Sequence, residues 1–446
     1  MLNDNGNTLQ KSSQTKDILI IGLALFAMFF GSGNLIFPPD IGITDGTQWG
    51  LGFFFYFFAD AGLALLGVIA INHSGGKMEQ VMNLAGKAPG TLITIAVILS
   101  IGPGLAIPRN GAVTLEMGIA PAFGLDASSP VVRAVFSIVF FGLVCLLTVR
   151  PSRVVDVVGK YMTPILVIAL IILIVIGVVS PQAASQPSVS DTIIKDGIFN
   201  GYQTLDLMAA LFFSLIIIDN ARDRGYSTEG ARTAIVLKAG VISCLLLMLV
   251  YGGLAYLGST TGMLWREEFM AGDINQAGLL MNIAHQLMGR VGAFVLALIV
   301  AFACMTTAIG LTSAAGTYFS DLSRGRVGYA AVVVIVCVVS ALFCNVGLSQ
   351  IISITAPILM ICYPVTVLTV IESFLTGRFR NRNAYILSAA VTFLISLGTI
   401  LCDSFGMSAF AFLHQIPLDQ FGFNWIIPAA AAFLVGSVIP GRKIGA

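Results

Sequence analysis

Charge is what this sequence has least of. Asp, Glu, Lys and Arg together make up 10% of its 446 residues, against roughly a quarter in an ordinary soluble domain. A water-covered globular surface cannot be built from so few. Net charge is +1, so no basic or acidic field calls for a nucleic-acid partner or an acidic one. Histidine is scarce too. His73, His285 and His414 are the only three and lie far apart in sequence, which leaves little from which to build a metal site. The seven cysteines (Cys145, Cys244, Cys304, Cys337, Cys344, Cys362, Cys402) form no C-x-x-C and are odd in number, so no disulfide framework is expected. No phosphate-binding loop of the G-x-x-x-x-G-K-[ST] type occurs, nor H-E-x-x-H, nor G-x-S-x-G. ATP hydrolysis and the common hydrolytic chemistries thus have no visible site. The expectation is a protein that is not an enzyme and has no organic cofactor.

What the sequence has instead is apolar length. Hydrophobic residues account for 57% of it, in runs of about 20 that match the thickness of a bilayer core. Spanning segments must satisfy their own backbone hydrogen bonds, which leaves helices or a closed barrel, and these runs are too long and too evenly apolar for barrel strands. The expected fold is therefore all-α and polytopic. The first 16 residues are polar and expected to be disordered. The run after Asp17 leads into Gly-Ser-Gly-Asn and Pro-Pro rather than a small-x-small cleavage site, so it is read as a retained first helix.

About twelve spans follow from hydropathy: helix 1 near 17–44, helix 2 near 49–72, helix 3 near 88–120, helix 4 near 130–149, helix 5 near 154–179 and helix 6 near 199–221. Helices 7 to 12 fall near 231–257, 289–318, 327–346, 349–374, 383–403 and 423–440. Segments 181–198 and 259–288 are the longest polar connections. With the amino terminus in the cytoplasm, eighteen Lys and Arg fall on that side, Lys77, Arg150, Arg153 and Lys160 among them. The other side receives only Arg133, Lys195, Arg266 and Arg290. Such an asymmetry sets orientation, places both termini in the cytoplasm and requires an even number of spans.

Four stretches carry polar chemistry inside the apolar runs. Phe29-Phe30-Gly31-Ser32-Gly33-Asn34-Leu35-Ile36-Phe37-Pro38-Pro39 places two glycines and an asparagine near the middle of helix 1. Each glycine weakens a helix by about 1 kcal/mol relative to alanine. A break at that depth is tolerated only where it lines a cavity, and the exposed half-helix ends suit a cation on one side and a carboxylate on the other. The same glycines would also serve simple close packing of helices. Asn200-Gly201-Tyr202-Gln203-Thr204-Leu205-Asp206-Leu207 is a second polar interruption, in helix 6. Asp206, an ionisable residue at membrane depth, is a functional candidate by default, with a structural ion pair as the alternative. Two interrupted helices five spans apart fit the first members of two five-helix repeats. In helix 3, Gly102-Pro103-Gly104 precedes Pro108-Arg109-Asn110 and Glu116. Arg109 is the one basic residue deep within a span rather than near its end, with Asp60, Glu116 or Asp206 as its partner in a gate or a buried ion pair. In helix 8, Ala303-Cys304-Met305-Thr306-Thr307 offers paired hydroxyls. They suit a hard cation, or merely bond to carbonyls one turn back.

The motifs of helices 1, 3, 6 and 8, with Gly347-Leu348-Ser349-Gln350 before helix 10, resemble those of bacterial branched-chain amino acid:cation symporters. The resemblance runs from helix 1 to helix 10. That family is similar to the wider group with a five-plus-five inverted-repeat core, such as the leucine:sodium carriers. The resemblance implies repeats over 17–179 and 199–374, an extracellular loop at 180–198, and extra helices 11 and 12 within 375–446. It implies a substrate held between broken helices 1 and 6 and closed in by helices 3 and 8. The substrate-binding residues implied are Gly31, Ser32, Gly33, Asn34, Thr204, Leu205, Asp206 and Leu207. Asp206 departs from the group, which has a hydroxyl there. A sodium site is implied at the carbonyls of Ala27, Phe30 and Ala303 and the hydroxyls of Thr306 and Thr307, with Thr312 and Ser313 as the competing register. The activity implied is import of leucine, isoleucine and valine across the bacterial cytoplasmic membrane. Symport with a monovalent cation, Na+ first, would drive it, with no obligate protein partner. A carrier for another small amino acid or a nucleobase, coupled to protons, is the alternative.

Overall fold

The computed structural model describes residues 4–75, 78–149 and 162–443. It is all-helical. Counted by length and hydropathy alone, eight described helices are long and apolar enough to cross a membrane. Twelve spans result when Ser32–His73 is divided at Gly46, whose φ of 54° ends the first helix, and when Thr163–Val179, Tyr329–Cys344 and Ile426–Val438 are included.

Helix 1 is two helices, 1a (Asp4–Phe29) and 1b (Ser32–Asp45). It begins earlier than the apolar pattern alone places it. Helix 2 covers 49–73 and contains a π-helical turn, Phe58–Gly62. Helix 3 (Lys87–Phe123) is interrupted between Ile101 and Ala106. Helices 4 (Pro130–Thr148) and 5 (Thr163–Val179) follow. The expected start of helix 5 near 154, with Arg150, Arg153 and Lys160, lies outside the described residues, as does Lys77. Helix 6 splits into 6a (Ile193–Thr204) and 6b (Asp206–Asp223). Helix 7 is Glu229–Ser259. Gln276–Leu322 bends at Gly289 (φ 58°), and its part 289–322 is helix 8. Helices 9 (Tyr329–Cys344) and 10 (Leu348–Ser373) meet at Gly347, whose φ of 99° lets the chain fold back by 108°. Helices 11 (Arg382–Phe405) and 12 (Ile426–Val438) close the chain.

The packing follows what lipid demands. Helix 4 leaves Val131, Ile138 and Leu146 exposed along one side, a greasy face for acyl chains rather than water. Helices 1 and 6 are wrapped by the others. Helix 1b lies against helix 7 with backbones touching: a Cβ on Gly42 would strike the Ala255 carbonyl, and one on Gly258 the Pro39 carbonyl. Small residues permit such approach where burial of oily side chains gives no drive between helices. The long polar connections fold over the end of helix 1b. Thr47 N–H donates to the Gln186 carbonyl (2.8 Å) and Val189 N–H to that of Thr44 (3.1 Å). Arg266 donates to the carbonyls of Pro187 (2.6 Å) and Thr44 (3.3 Å). At the opposite end Asp17, on helix 1a, accepts from Arg224 and from the Tyr226 hydroxyl, both at 2.9 Å. Burial and the Asp17 carboxylate push the Tyr226 phenol up to about 12, so it remains the donor. All seven cysteines are free.

Candidate functional site

Both interruptions expected from the sequence are present, and they face each other. In helix 1, Phe30 and Gly31 leave the helical path, with Gly31 extended (φ −115°, ψ −158°). Asn34 braces the start of 1b by accepting from Gly31 N–H through Oδ1 (3.1 Å). Pro38 and Pro39 lie within 1b and lack the N–H that would bond the carbonyls one turn earlier, those of Asn34 and Leu35. In helix 6 the break is a single residue. Leu205 sits at φ 74°, ψ 11°, a left-handed conformation that costs an L-residue roughly 1–2 kcal/mol. The strain separates 6a from 6b and puts Asp206 in the first turn of 6b, where the helix dipole favours negative charge.

Asn34 ties the two breaks together. Its Nδ2 donates to the Tyr251 hydroxyl (2.6 Å), to Asp206 Oδ2 (3.1 Å) and to Asp60 Oδ2 (3.2 Å). The other oxygen of Asp60 accepts from Thr204 Oγ1 (2.9 Å). Asp60 comes from the π-helical turn of helix 2, a distortion frequent at functional sites. Gly201 permits the approach, since a Cβ there would lie 2.8 Å from the Tyr56 carbonyl and 3.1 Å from Asp60 N. Asn34, Asp60, Thr204 and Asp206 are all buried. Leu207 N–H donates to the Tyr363 hydroxyl (3.3 Å), and the Tyr363 ring stacks on Tyr202 at 4.2 Å.

Helix 3 supplies the remaining partners, from the turn after its own interruption. Arg109 Nη1 donates to the Gln203 carbonyl (2.7 Å), Nη2 to the Thr204 carbonyl (3.5 Å) and Nε to Ser32 Oγ (3.1 Å). Asn110 Oδ1 accepts from Ser32 N–H (3.0 Å). Helix ends leave carbonyls and N–H groups unpaired. Here the carbonyl end of 6a is capped by a cation and the N–H end of 1b by a side-chain oxygen, from adjacent residues of one helix. The expectation of Arg109 in an ion pair with Asp60, Glu116 or Asp206 is corrected: the guanidinium goes to backbone carbonyls and a hydroxyl. Glu116 stands apart and accepts from Leu348 N–H (3.1 Å) at the start of helix 10.

At helix 8, Thr306 Oγ1 donates to the carbonyls of Ala27 and Ala303, both at 2.9 Å. Thr307 Oγ1 reaches the carbonyls of Met28 (3.0 Å) and Ala27 (3.3 Å). The Met28 carbonyl thus stands in this oxygen cluster, where the sequence suggests that of Phe30. Ser313 accepts from Tyr329 (3.1 Å), one to two turns further along helix 8, so Thr306 and Thr307 are the hydroxyls that meet the end of helix 1a. Gly31 makes room, since a Cβ there would lie 3.0 Å from Thr307 Oγ1.

The space among these groups is a cavity of about 10 Å³, lined by Ser32, Asn34, Arg109, Asn110, Thr204, Asp206 and Thr307 among others. That is enough for one water and too small for an amino acid. Two larger cavities flank it. One of about 640 Å³ is lined by Lys87, Phe212, Tyr318 and Asp321. Another, of about 240 Å³, is lined by Tyr202, Met360 and Asp403. Three features escaped the sequence reading: Asp60 as a direct neighbour of the breaks, Asn110, and the tyrosines 251 and 363. Asn110 had a signal in its place beside Arg109 in a polar run, and Asp60 had one as an acid within an apolar run.

Broken helices 1 and 6, wrapped by helices 2, 3, 7, 8 and 10, define the inverted-repeat class of secondary transporters. Solved structures agree on the fold. A Na+-coupled sialic acid symporter in a substrate-bound outward-open state superposes with a TM-score of 0.57 at 12% identity, covering 96% of this chain and 91% of that one. Mhp1, a nucleobase-cation-symport-1 family transporter, gives 0.57 and 12% over 94% and 91%. Residues 14–443 match the family of branched-chain amino acid transport proteins. The branched-chain amino acid permease BraB of Bacillus subtilis is 34% identical over 439 residues, 97% of each chain. This chain belongs to the branched-chain amino acid transport protein family, a family of multi-pass membrane carriers and not of enzymes.

Proposed function

We propose that this protein imports leucine, isoleucine and valine across the bacterial cytoplasmic membrane, driven by a monovalent cation, Na+ before H+. The observation that carries the reading is the opposition of two half-helix ends of contrary polarity, in a chain of this family. The N–H end of 1b suits the substrate carboxylate, with Ser32, Gly33 and Asn34 around it. The carbonyl end of 6a, with Thr204 and Asp206, suits the ammonium group. Leu205 and Leu207 belong to the surrounding wall, and an apolar pocket that opens there would select a branched side chain. Na+ takes hard oxygen ligands, and the cluster at Ala27, Met28, Ala303, Thr306 and Thr307 supplies them, with the Phe30 carbonyl next in line. Asp60 shares Asn34 with Asp206, and two buried carboxylates so close repel unless a cation or a proton lies with them. Together they hold the second positive charge of the cycle.

Arg109 and Asn110 act in the empty carrier. They place a cation on the 6a carbonyls and an oxygen on the 1b amide, the two places a zwitterion would take. In this reading helix 3 stands in for substrate. Bound leucine displaces both groups, and their return lets the unloaded protein switch sides without leaving bare peptide dipoles unpaired in its closed interior. The small central cavity and the large one toward Lys87 and Asp321 support a closed site that faces the cytoplasm. Lys and Arg placement supports cytoplasmic termini. The division into repeats 17–179 and 199–374, with 1–16, 180–198 and 375–446 outside them, belongs to the same reading.

Labelled-leucine uptake by purified protein in liposomes tests it. We expect uphill uptake under an inward Na+ gradient, with competition by valine and isoleucine. Uptake indifferent to Na+ but driven by a proton gradient would move the coupling to the carboxylate pair. Saturable uptake of a nucleobase without leucine competition would overturn the substrate.

A further inference from the structure

The three histidines are scattered in sequence, but the fold brings one of them, His414, beside a thiol and two acids. Helix 11 ends at Phe405, where Gly406 (φ 66°) turns the chain back. The short helix Ser408–Gln415 then returns His414 to the last turn of helix 11. Cys402 Sγ, an Asp403 oxygen and a His414 ring nitrogen come within 4.8 Å of one another. His414 Nε2 lies 3.0 Å from Asp403 Oδ1, and its Nδ1 lies 3.1 Å from Asp419 Oδ2. Asp419 is fixed in turn, because its Oδ1 accepts from the buried Asn424 (3.1 Å), which also donates to Thr399 Oγ1 (3.0 Å).

We infer that Cys402, Asp403 and His414 form a binding site for a divalent transition metal, with Zn2+ as the ion whose ligand chemistry fits best. A thiolate, an imidazole and a carboxylate are a borderline-soft set that Zn2+ takes in tetrahedral geometry, with water fourth. Bond lengths of about 2.0–2.3 Å place tetrahedral ligand atoms roughly 3.5 Å apart, so the His414–Asp403 pair, at 3.0 Å, needs only to open slightly while the Cys402 thiol, within 4.8 Å of both, draws in. Asp419 behind Nδ1 is the carboxylate that holds a ligating histidine in orientation, and Asn424 and Thr399 hold Asp419. A plain ion-pair clasp of His414 between two acids would need no thiol beside it. Asp403, Thr399, Asp419 and Asn424 also line the 240 Å³ cavity. It opens at the end of helix 11 away from Arg382, whose N–H bonds to the Arg442 carbonyl near the carboxyl terminus (3.0 Å). A bound metal would fasten segment 406–421 to helix 11 at the mouth of that cavity. The central site plays no part in the inference.

Co2+ titration of the purified full-length protein in detergent tests it. We expect tetrahedral ligand-field bands and a thiolate-to-cobalt charge-transfer band at one equivalent, bleached by Zn2+. Cys402→Ser should abolish the charge-transfer band, while Cys244→Ser should leave it. Asp419→Asn should weaken Co2+ binding about 10- to 100-fold, the range for a partner behind a ligand. In the unaltered protein, Zn2+ should slow maleimide modification of Cys402 at least tenfold. A cobalt spectrum that survives Cys402→Ser, or a maleimide rate unmoved by Zn2+, would overturn the site.

Discussion

Replacing Arg109 with methionine should separate two activities that ordinarily fall together. The side chain keeps most of its length and loses every donor. Three contacts vanish: those to the carbonyls of Gln203 (2.7 Å) and Thr204 (3.5 Å) and to Ser32 Oγ (3.1 Å). A buried acceptor left unpaired costs about 1–3 kcal/mol. The Gln203 and Ser32 bonds are of ordinary length and the Thr204 bond is long, so the two good bonds put about 2–4 kcal/mol of the empty closed state at stake. At 1.4 kcal/mol per decade, that lowers its population roughly 30- to 700-fold. Net uptake needs the empty carrier to return, whereas exchange of leucine for leucine does not. In proteoliposomes, Arg109→Met should cut net Na+-driven leucine uptake at least about 30-fold. Leucine counterflow should stay within about threefold of the unaltered protein, and this also reports that the variant is folded. Arg109→Lys, a point charge without the planar fork, should recover part of net uptake. Equal loss of both activities would make Arg109 a substrate ligand in the loaded state and refute the stand-in role. Undiminished net uptake would refute any role.

Three further outcomes are expected. Asp206→Asn should abolish gradient-driven leucine uptake, because the amide removes the charge at the start of 6b; full retention would take Asp206 out of the site. Thr307→Val should raise the Na+ concentration for half-maximal uptake about tenfold or more while leaving the leucine dependence at saturating Na+ nearly unchanged, read from initial rates at varied Na+. Gly258→Ala puts a methyl into the Pro39 carbonyl and should cost about 1–3 kcal/mol as overpacking does, seen as a lower melting temperature in detergent with and without leucine.

Much of this architecture was legible in the residues. The helix 1 break announces itself through Gly31, Gly33 and Asn34, because glycine weakens a helix and asparagine competes for its backbone. The helix 6 break was legible as a polar run around Asp206. Its hinge was not, because Leu205 takes a left-handed conformation with no glycine to mark it, and only the surrounding packing enforces that. Asp60 lay in view as an acid in an apolar run. Its meeting with Asp206 depends on a π-helical turn in helix 2, a one-residue shift in hydrogen bonding that no pattern of hydrophobicity records. Arg109 invited an acidic partner, since opposite charges are what a sequence displays. The partners it takes are backbone carbonyls, which every residue has and which become available only where a helix stops. His414 and Cys402 are neighbours through a reversal at Gly406, a tertiary contact that local spacing does not predict.

The central proposition is that leucine lies between the two breaks, where Arg109 and Asn110 now rest. A cryo-EM structure of the protein with leucine and Na+ bound measures this directly. The expected density has the carboxylate within hydrogen-bonding distance of Ser32 N–H and the ammonium group at the Gln203 and Thr204 carbonyls, with Arg109 and Asn110 withdrawn. Leucine in the outer cavity beside Tyr202 and Met360, with Arg109 still bonded to Gln203, would contradict it.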